Sequence, residues 1–150
     1  MLFLEYADSL GWDLTQGGRF AAEIRDLPGP YAQPAGTLLL AYIERDAAGV
    51  VGLQPVPEDA RALGVEAEHF GELKRLYVRP EYRRHGIGRA LMKRSEDEAR
   101  ARGYQSIVLT TSAEMMPLAQ GLYDSLGYEM TETYRNDMPY PGIRWLRLDL

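Results

Sequence analysis

Apolar residues recur along the chain with two spacings, one typical of helices and the other of strands. They fall on one helical face from Phe3 to Leu10 and again from Phe20 to Leu27, which predicts two short helices near the N-terminus. Short apolar runs bounded by turn residues predict six strands. These strands are Leu38–Glu44, Val50–Val56, Phe70–Val78, Ser106–Leu109, Tyr128–Thr131 and Ile143–Leu148. Two further helices are predicted over Gly86–Arg102 and Pro117–Leu126, each followed by a glycine that ends it.

Glycine and proline mark the breaks between these elements. Three prolines and two glycines make Leu27–Gly36 a loop. Ala47–Gly49 is the predicted turn between the first two strands, and the polar segment Pro57–Ala67 is expected to be exposed. Within Phe70–Val78 the apolar residues step by three instead of two, which predicts a β-bulge.

The order of elements predicts one α/β domain over residues 1–150, with a mixed central sheet flanked by helices. A strand, a helix and a second strand follow one another between Phe70 and Leu109, so these two strands are expected to run parallel with a right-handed crossover. A chain of 150 residues that is 45% hydrophobic is long enough to bury its own core.

Composition excludes several classes of function. The chain has no cysteine, which rules out disulfides, thiolate metal sites and cysteine nucleophiles. His69 and His85 lack the clustered carboxylates of a metal site, so we expect no metal. The longest apolar run, Leu38–Ile43, is far too short to span a membrane, and no export signal precedes it. We therefore expect a cytoplasmic protein that binds no membrane.

Charge is distributed unevenly. The chain carries a formal charge of −5, which argues against a nucleic-acid partner, yet the window from Lys74 to Arg89 is +5 and the rest of the chain is −10. A basic segment in an acidic protein is typical of a local site for an anionic ligand. A solvated cationic face is the alternative interpretation of the same charges.

The basic window contains the sequence Arg83-Arg84-His85-Gly86-Ile87-Gly88, between a predicted strand and a predicted helix. The first turn of a helix offers unpaired N–H groups and a partial positive charge, and glycines let an anion approach the backbone. The pattern is not a P-loop, because no Gly-Lys-Ser/Thr follows. Nor is it a dinucleotide fingerprint, because Leu91 stands where the third glycine would be. A tight turn before an amphipathic helix remains the structural alternative.

The pattern Arg83-x-x-Gly86-x-Gly88, with the segment Leu73–Tyr82 before it, resembles the acyl-CoA motif of the GCN5-related N-acetyltransferases. The segment Pro117–Tyr128, in which a Leu-Tyr pair precedes a Gly-Tyr pair, is similar to the helix-then-strand motif of the same family. The two motifs stand in the family's order and together cover Glu72–Met130. This resemblance implies an enzyme that transfers an acetyl group from acetyl-CoA to a primary amine by direct attack in a ternary complex, without a metal.

The resemblance also implies which residues would bind acetyl-CoA. The backbone amides of the glycine loop would hold the pyrophosphate, and the pantetheine arm would lie along the third strand, where a bulge frees backbone groups. The cofactor-binding residues are then Leu76, Tyr77, Val78, Arg83, Arg84, His85, Gly86, Ile87, Gly88 and Arg89.

Two catalytic residues follow from the same resemblance. Tyr123 matches the family tyrosine that protonates the departing thiolate, and Glu72 stands where relatives place the carboxylate that deprotonates the amine. The alternatives are a tyrosine that packs its ring on the sheet and a solvated glutamate at the end of a strand. Whether Glu72 or water is the base stays open.

The acceptor amine would bind opposite acetyl-CoA, beside the early helices and the last hairpin. Candidate lining residues are Trp12, Tyr31, Tyr134 and Tyr140, for which packing in the core or a loop is the alternative. The sequence opens on a predicted helix, so we expect either that the family's first strand is missing or that the start is truncated. An uncovered sheet edge would favour a homodimer. Two rival functions remain: an acyl-CoA-binding module without turnover, and a nucleotide-phosphate binder.

Overall fold

The computed structural model describes residues 1–57, 60, 67–134 and 141–150. Its helices are α1 (Leu2–Ser9), α2 (Arg19–Arg25), α3 (Ile87–Ala101) and α4 (Pro117–Ser125). Its strands are β1 (Thr37–Ile43), β2 (Asp46–Pro55), β3 (Phe70–Val78), β4 (Ser106–Ser112), β5 (Glu129–Met130) and β6 (Ile143–Asp149). The predicted order of helices and strands is confirmed.

The six strands form one mixed sheet in the order β1-β2-β3-β4-β6-β5. Strands β3 and β4 are parallel, and every other neighbouring pair is antiparallel. The predicted α/β fold with a parallel central pair is therefore confirmed. The parallel pair places the end of β3, the start of α3 and the end of β4 in one region of the sheet.

Helices cover both faces of the sheet. Helices α3 and α4 pack on one face, where Met92 and Ala99 of α3 meet Val51 and Ile107 of the strands. Helices α1 and α2 pack on the opposite face through an aromatic cluster that includes Tyr6 and Phe20. Each helix buries one apolar stripe, as its sequence spacing predicts.

The predicted bulge is present in β3. Val50 pairs with Tyr77 and Gly52 pairs with Lys74, so that Val51 alone faces both Arg75 and Leu76. Arg75 adopts a φ of +61°, a conformation that few residues other than glycine take. The bulge explains the step from Leu73 to Leu76, which lie on the same face of the sheet. The earlier step from Phe70 to Leu73 is instead a change of face, because Phe70 packs in a separate cluster.

The predicted turn at Ala47–Gly49 is wrong. The hairpin turns at residues 44 and 45, with Glu44 at a φ of +56°, and β2 begins at Asp46. Ala48 is fully buried, and a Cβ on Gly49 would come within 2.9 Å of the Tyr77 carbonyl oxygen. These small residues therefore serve close packing against β3 and α3, which a sequence cannot distinguish from turn formation.

Strand β1 forms one edge of the sheet in the described residues and carries the exposed side chains of Leu40, Tyr42 and Ile43. Dimerisation through this edge stays a prediction. The segment Pro57–Ala67, predicted to be exposed, lies mostly outside the described residues, although Ala60 is buried.

Candidate active site

The central pair of strands separates in the middle of the sheet. The β3–β4 ladder ends in the described residues at Leu73 and Leu109, whereas β4 continues beside β6 as far as Ser112. Beyond Leu73, one backbone edge of β3 thus has no neighbouring strand in the described part of the chain. The side chains of Leu76, Tyr77 and Val78 pack in the two cores, so this segment offers its backbone to a ligand. An extended molecule could lie in the gap as an additional strand.

The loop that leads from β3 into α3 carries unused amide groups. Among the residues that the structure describes, no acceptor is found for the N–H groups of residues 84 to 89. Arg84 has a φ of +63° and Gly86 a φ of +78°, so the loop turns sharply just before the helix begins. Consecutive free amides at the positive end of a helix form a ready site for a phosphate group.

The two glycines of this loop have different roles. A Cβ on Gly86 would meet nothing within 4 Å, so the space over this residue is open to a ligand. A Cβ on Gly88 would instead lie 3.3 Å from the Leu122 side chain of α4. Gly88 therefore permits close packing of α3 against α4. That both glycines clear a path for an anion stays a prediction, and the open space lies over Gly86. Ile87 is buried in the core.

Much of the basic window is neutralised within the protein, which corrects the charge argument. Arg75 makes two hydrogen bonds to Glu23 of α2, of 2.9 and 2.6 Å. Arg79 makes two more to Glu5 of α1, of 2.8 and 2.7 Å, and these lower the pKa of Glu5. Both arginines tie β3 to the helices that cover it, and this use of their charge was not predicted.

The remaining cations of the loop lie at its surface. Arg83 donates from Nε to the Val78 carbonyl oxygen, 2.9 Å away, and Arg89 donates to the Ser125 hydroxyl of α4. The His85 ring lies 2.8 Å from the Arg83 carbonyl oxygen, and Arg84 is exposed. Arg83 and His85 thus shape the loop through backbone contacts, while the exposed Arg84 is available to an anionic ligand.

Two clefts meet where the strands separate. The larger has a volume of about 570 Å³, including its solvent-open part, and the smaller about 320 Å³. Lys74, Thr110 and Met116 line both, so the two clefts share a wall at the gap. Met92 of α3 and Tyr123 of α4 line only the smaller cleft, whereas Trp12 and Glu72 line only the larger. Two molecules could therefore meet at the shared wall.

Glu72 lines the larger cleft as a buried carboxylate and not as a solvated residue at a strand end. Gln54, directly opposite on β2, donates to its Oε2 atom at 2.7 Å, and the Tyr134 hydroxyl donates to Oε1 at 3.2 Å. The Tyr134 hydroxyl is also 3.0 Å from the Thr110 hydroxyl. Two donors thus hold the carboxylate in one orientation at the cleft wall.

Tyr123 lines the smaller cleft from α4. Burial raises the pKa of its phenol well above the ordinary value, and nearby Tyr6 raises it further. A phenol is neutral at pH 7 with or without this shift, so Tyr123 carries a proton there, and the raised pKa makes that proton harder to release. Its ring also packs 5.9 Å from that of Tyr128, so the predicted packing role and an acid role are compatible.

The four aromatic candidates for the acceptor site fall in different places. Trp12 lines the larger cleft. Tyr31 does not line either cleft: it is buried beneath Gly52, with its hydroxyl on Glu23. Tyr134 is also buried and contacts Glu72 rather than forming a cleft wall. Tyr140 lies outside the described residues.

Sequence reasoning missed Gln54 and Thr110. Gln54 is the one amide side chain in the apolar run Val50–Val56, and the hairpin register places it against Glu72. The second half of β4 was not predicted, because the residues from Thr110 to Ser112 are polar and a polar run is not typical of a central strand. The polar residue within a predicted buried strand was the available signal for Gln54, whereas Thr110 fell outside the predicted strand and gave no such signal.

No group of three or more metal-binding side chains occurs within the described ranges. In those ranges there is also no helix with the length and apolar character needed to cross a bilayer.

Comparisons with known proteins agree on one family. Residues 5–128 match the family model described as the acetyltransferase (GNAT) family. The chain is 36% identical to an uncharacterised N-acetyltransferase of Schizosaccharomyces pombe, over 100% of this chain and 85% of that protein. Five other curated relatives are longer, and the match to this chain spans 32% to 48% of their lengths.

Solved structures show the same fold at low identity. A ribosomal-protein-alanine N-acetyltransferase from Brucella melitensis matches with a TM-score of 0.74 and 20% identity, over 99% of this chain and 92% of that one. A PaiA N-acetyltransferase from Thermoplasma acidophilum, in complex with coenzyme A, matches with a TM-score of 0.61 and 18% identity, over 77% and 62% of the two chains. The fold is thus that of the acyl-CoA-dependent acetyltransferases. The chain belongs to the GNAT family of acetyltransferases.

Proposed function

We propose that this protein transfers an acetyl group from acetyl-CoA to an amine within a ternary complex. One observation carries the proposal: the N–H groups of residues 84 to 89 have no acceptor in the described chain, and they lie beside the gap between β3 and β4. A diphosphate and an extended pantetheine arm are the two parts of coenzyme A that such a loop and such a gap would hold.

The residues around the loop fit this ligand. The amides from Arg84 to Arg89 would bind the pyrophosphate, with the exposed Arg84 side chain as an additional cation. The free edge of β3 from Leu76 to Val78 would bond the pantetheine arm, as a neighbouring strand does. The thioester would then lie in the smaller cleft, close to the wall that it shares with the larger one.

Glu72 is proposed as the general base. It lines the larger cleft, where the amine would enter, and Gln54 and Tyr134 position its carboxylate. In the reaction the amine nitrogen forms a bond to the thioester carbonyl carbon, and Glu72 takes the proton that this nitrogen loses.

Tyr123 is proposed as the general acid. As the carbon–sulfur bond breaks, the departing thiolate takes the phenolic proton of Tyr123, which lines the smaller cleft where the thioester would lie. The proton accepted by Glu72 later returns to solvent, and the phenol is reprotonated from solvent. Protons and charges therefore balance over one turnover without a covalent enzyme intermediate.

Calorimetry with acetyl-CoA, CoA and ATP tests the binding step, and release of free thiol from acetyl-CoA over a panel of amines tests turnover. The chain has no cysteine, so all thiol detected comes from coenzyme A. We expect binding of acetyl-CoA and CoA in preference to ATP, with thiol release in the presence of an amine. A preference for ATP would refute the proposal, and binding without thiol release for any amine would favour the acyl-CoA-binding module instead.

A further inference from the structure

Three charged side chains line the larger cleft among the described residues: Glu72, Lys74 and Arg75. Successive residues of a regular strand point to opposite faces of a sheet. The bulge at Arg75 and Leu76 breaks this alternation, and as a result Lys74 and Arg75 both line the two clefts. Two cations therefore stand beside one carboxylate at the gap.

The Arg75 guanidinium is held in a fixed position. Its Nε and Nη2 atoms donate to Glu23, and its carbon lies 4.3 Å from the centre of the Phe20 ring and 5.7 Å from that of Trp12. Its third nitrogen, Nη1, has no acceptor within the described part of the chain. Arg75 lines the cleft, whereas its partner Glu23 does not.

The cleft also has apolar lining residues. Leu10 and Trp12 border it on the side of α1, and Met115 and Ile143 on the side of β6, while hydroxyl groups come from Thr110, Thr111 and Ser112. The cleft thus combines a carboxylate, a pair of cations and an apolar surface.

We propose that the acceptor is an amine that also carries a carboxylate a few bonds away and an apolar substituent, as a free apolar amino acid does. Its amine would lie at Glu72, its carboxylate would bind Lys74 and Nη1 of Arg75, and its apolar side chain would pack on Trp12 and Ile143. Polyamines and aminoglycosides would bring further cations against Lys74 and Arg75. This proposal rests on the proposed function, because it assigns the larger cleft to the acceptor.

A matched set of amines tests the proposal. Leucine, leucinamide and 3-methylbutylamine share one apolar side chain, but only leucine carries a carboxylate, and phenylalanine, phenylalaninamide and 2-phenylethylamine repeat the design. We expect kcat/KM for each amino acid to exceed that of its amide and of its carboxylate-free amine by at least about tenfold, which is the effect of one hydrogen bond to a charged group. The amide has the less basic amine and more of the reactive free base, so chemical reactivity alone would favour the opposite order.

Lys74→Gln tests the cation directly, and Lys93→Gln is its matched control because Lys93 is the other lysine of the chain and lies exposed on α3. We expect Lys74→Gln to raise KM for leucine by about ten- to a hundredfold while leaving KM for 3-methylbutylamine within about twofold. The control should change neither value.

The outcomes separate this proposal from the proposed function. Acetylation of the carboxylate-free amines as fast as of the amino acids would overturn the acceptor proposal and leave acetyl transfer intact. If no compound of either set is turned over, calorimetry on the CoA-loaded protein decides: binding of the amino acids alone supports the proposal, and binding of none overturns it. Failure of acetyl-CoA itself to bind would refute the proposed function first.

Discussion

Gly86 and Gly103 stand at the two ends of helix α3 in nearly the same backbone conformation, with φ values of +78° and +81°. A Cβ on either glycine would meet nothing within 4 Å. Substituting valine at each position therefore imposes the same backbone strain with no steric contact in the free protein. Comparing the ligand affinities of the two variants therefore separates the contribution of the open space over Gly86 from the effect of backbone strain.

The expected cost in stability is the same for the two variants. A side chain forced into the left-handed region costs on the order of 1–3 kcal/mol. For a domain of this size each kcal/mol lowers Tm by about 2–4 °C, so each variant should melt about 2–12 °C below the wild type. Thermal unfolding monitored by circular dichroism measures both shifts.

The expected effect on acetyl-CoA differs between the variants. Valine at position 86 would occupy the space in which a phosphate must approach the loop amides, and losing one hydrogen bond to a charged group costs about 1.5–3 kcal/mol. Gly86→Val should therefore weaken acetyl-CoA binding by roughly 10- to 150-fold. Gly103→Val should bind within about twofold of the wild type, because the opposite end of the helix faces no ligand.

Isothermal titration calorimetry of the folded variants decides the question. Wild-type affinity in a folded Gly86→Val protein would mean that the diphosphate does not bind over this glycine. An equal loss of affinity in both variants would mean that distortion of α3, and not a blocked site, explains the effect.

Three further substitutions test the proposed chemistry and the core that supports it. Glu72→Gln keeps the size of the side chain but removes the base, and should lower kcat by about 10²–10⁴ without changing the Kd of acetyl-CoA; a loss below tenfold would place the base elsewhere. Tyr123→Phe should lower turnover at unchanged Kd, and an unaltered rate with an active amine would remove this residue as the acid. Glu23→Gln leaves the Arg75 charge uncompensated and should lower the free energy of unfolding by about 3–5 kcal/mol in urea titrations at pH 7.

The Glu23→Gln substitution should also change how the free energy of unfolding depends on pH. Burial raises the pKa of Glu23, but the hydrogen bonds and charge of Arg75 outweigh this effect, and the pKa is lowered below its ordinary value of 4.5. A lowered pKa stabilises the folded state above pH 4.5, and this contribution is lost as the pH falls through the lowered value. Unfolding free energies of Glu23→Gln should therefore fall less steeply in acid than those of the wild type. Parallel acid profiles would contradict this role of the ion pair.

The sequence by itself determined the order of elements, the bulge in β3 and the loop before α3. Each depends on short-range physics: apolar spacing defines the buried face of a helix or strand, and the glycine at position 86 permits the backbone to turn where the helix begins. Such signals act over a few residues, so they can be recognised in one sequence. Glu72 and Tyr123 were instead named through the resemblance to a family, and their roles stay predictions.

Tertiary structure alone decided how these residues are used. Arg75 pairs with Glu23, 52 residues away, and Tyr134 reaches Glu72 across 62 residues. These contacts arise because the sheet brings distant segments together, and no local pattern encodes the partner. The gap between β3 and β4 has the same origin. It exists because β4 continues to pair with β6 after its pairing with β3 has ended. Charge in a sequence window therefore predicted a ligand site, but only the fold showed that Arg75 and Arg79 of that window pair with carboxylates of α2 and α1.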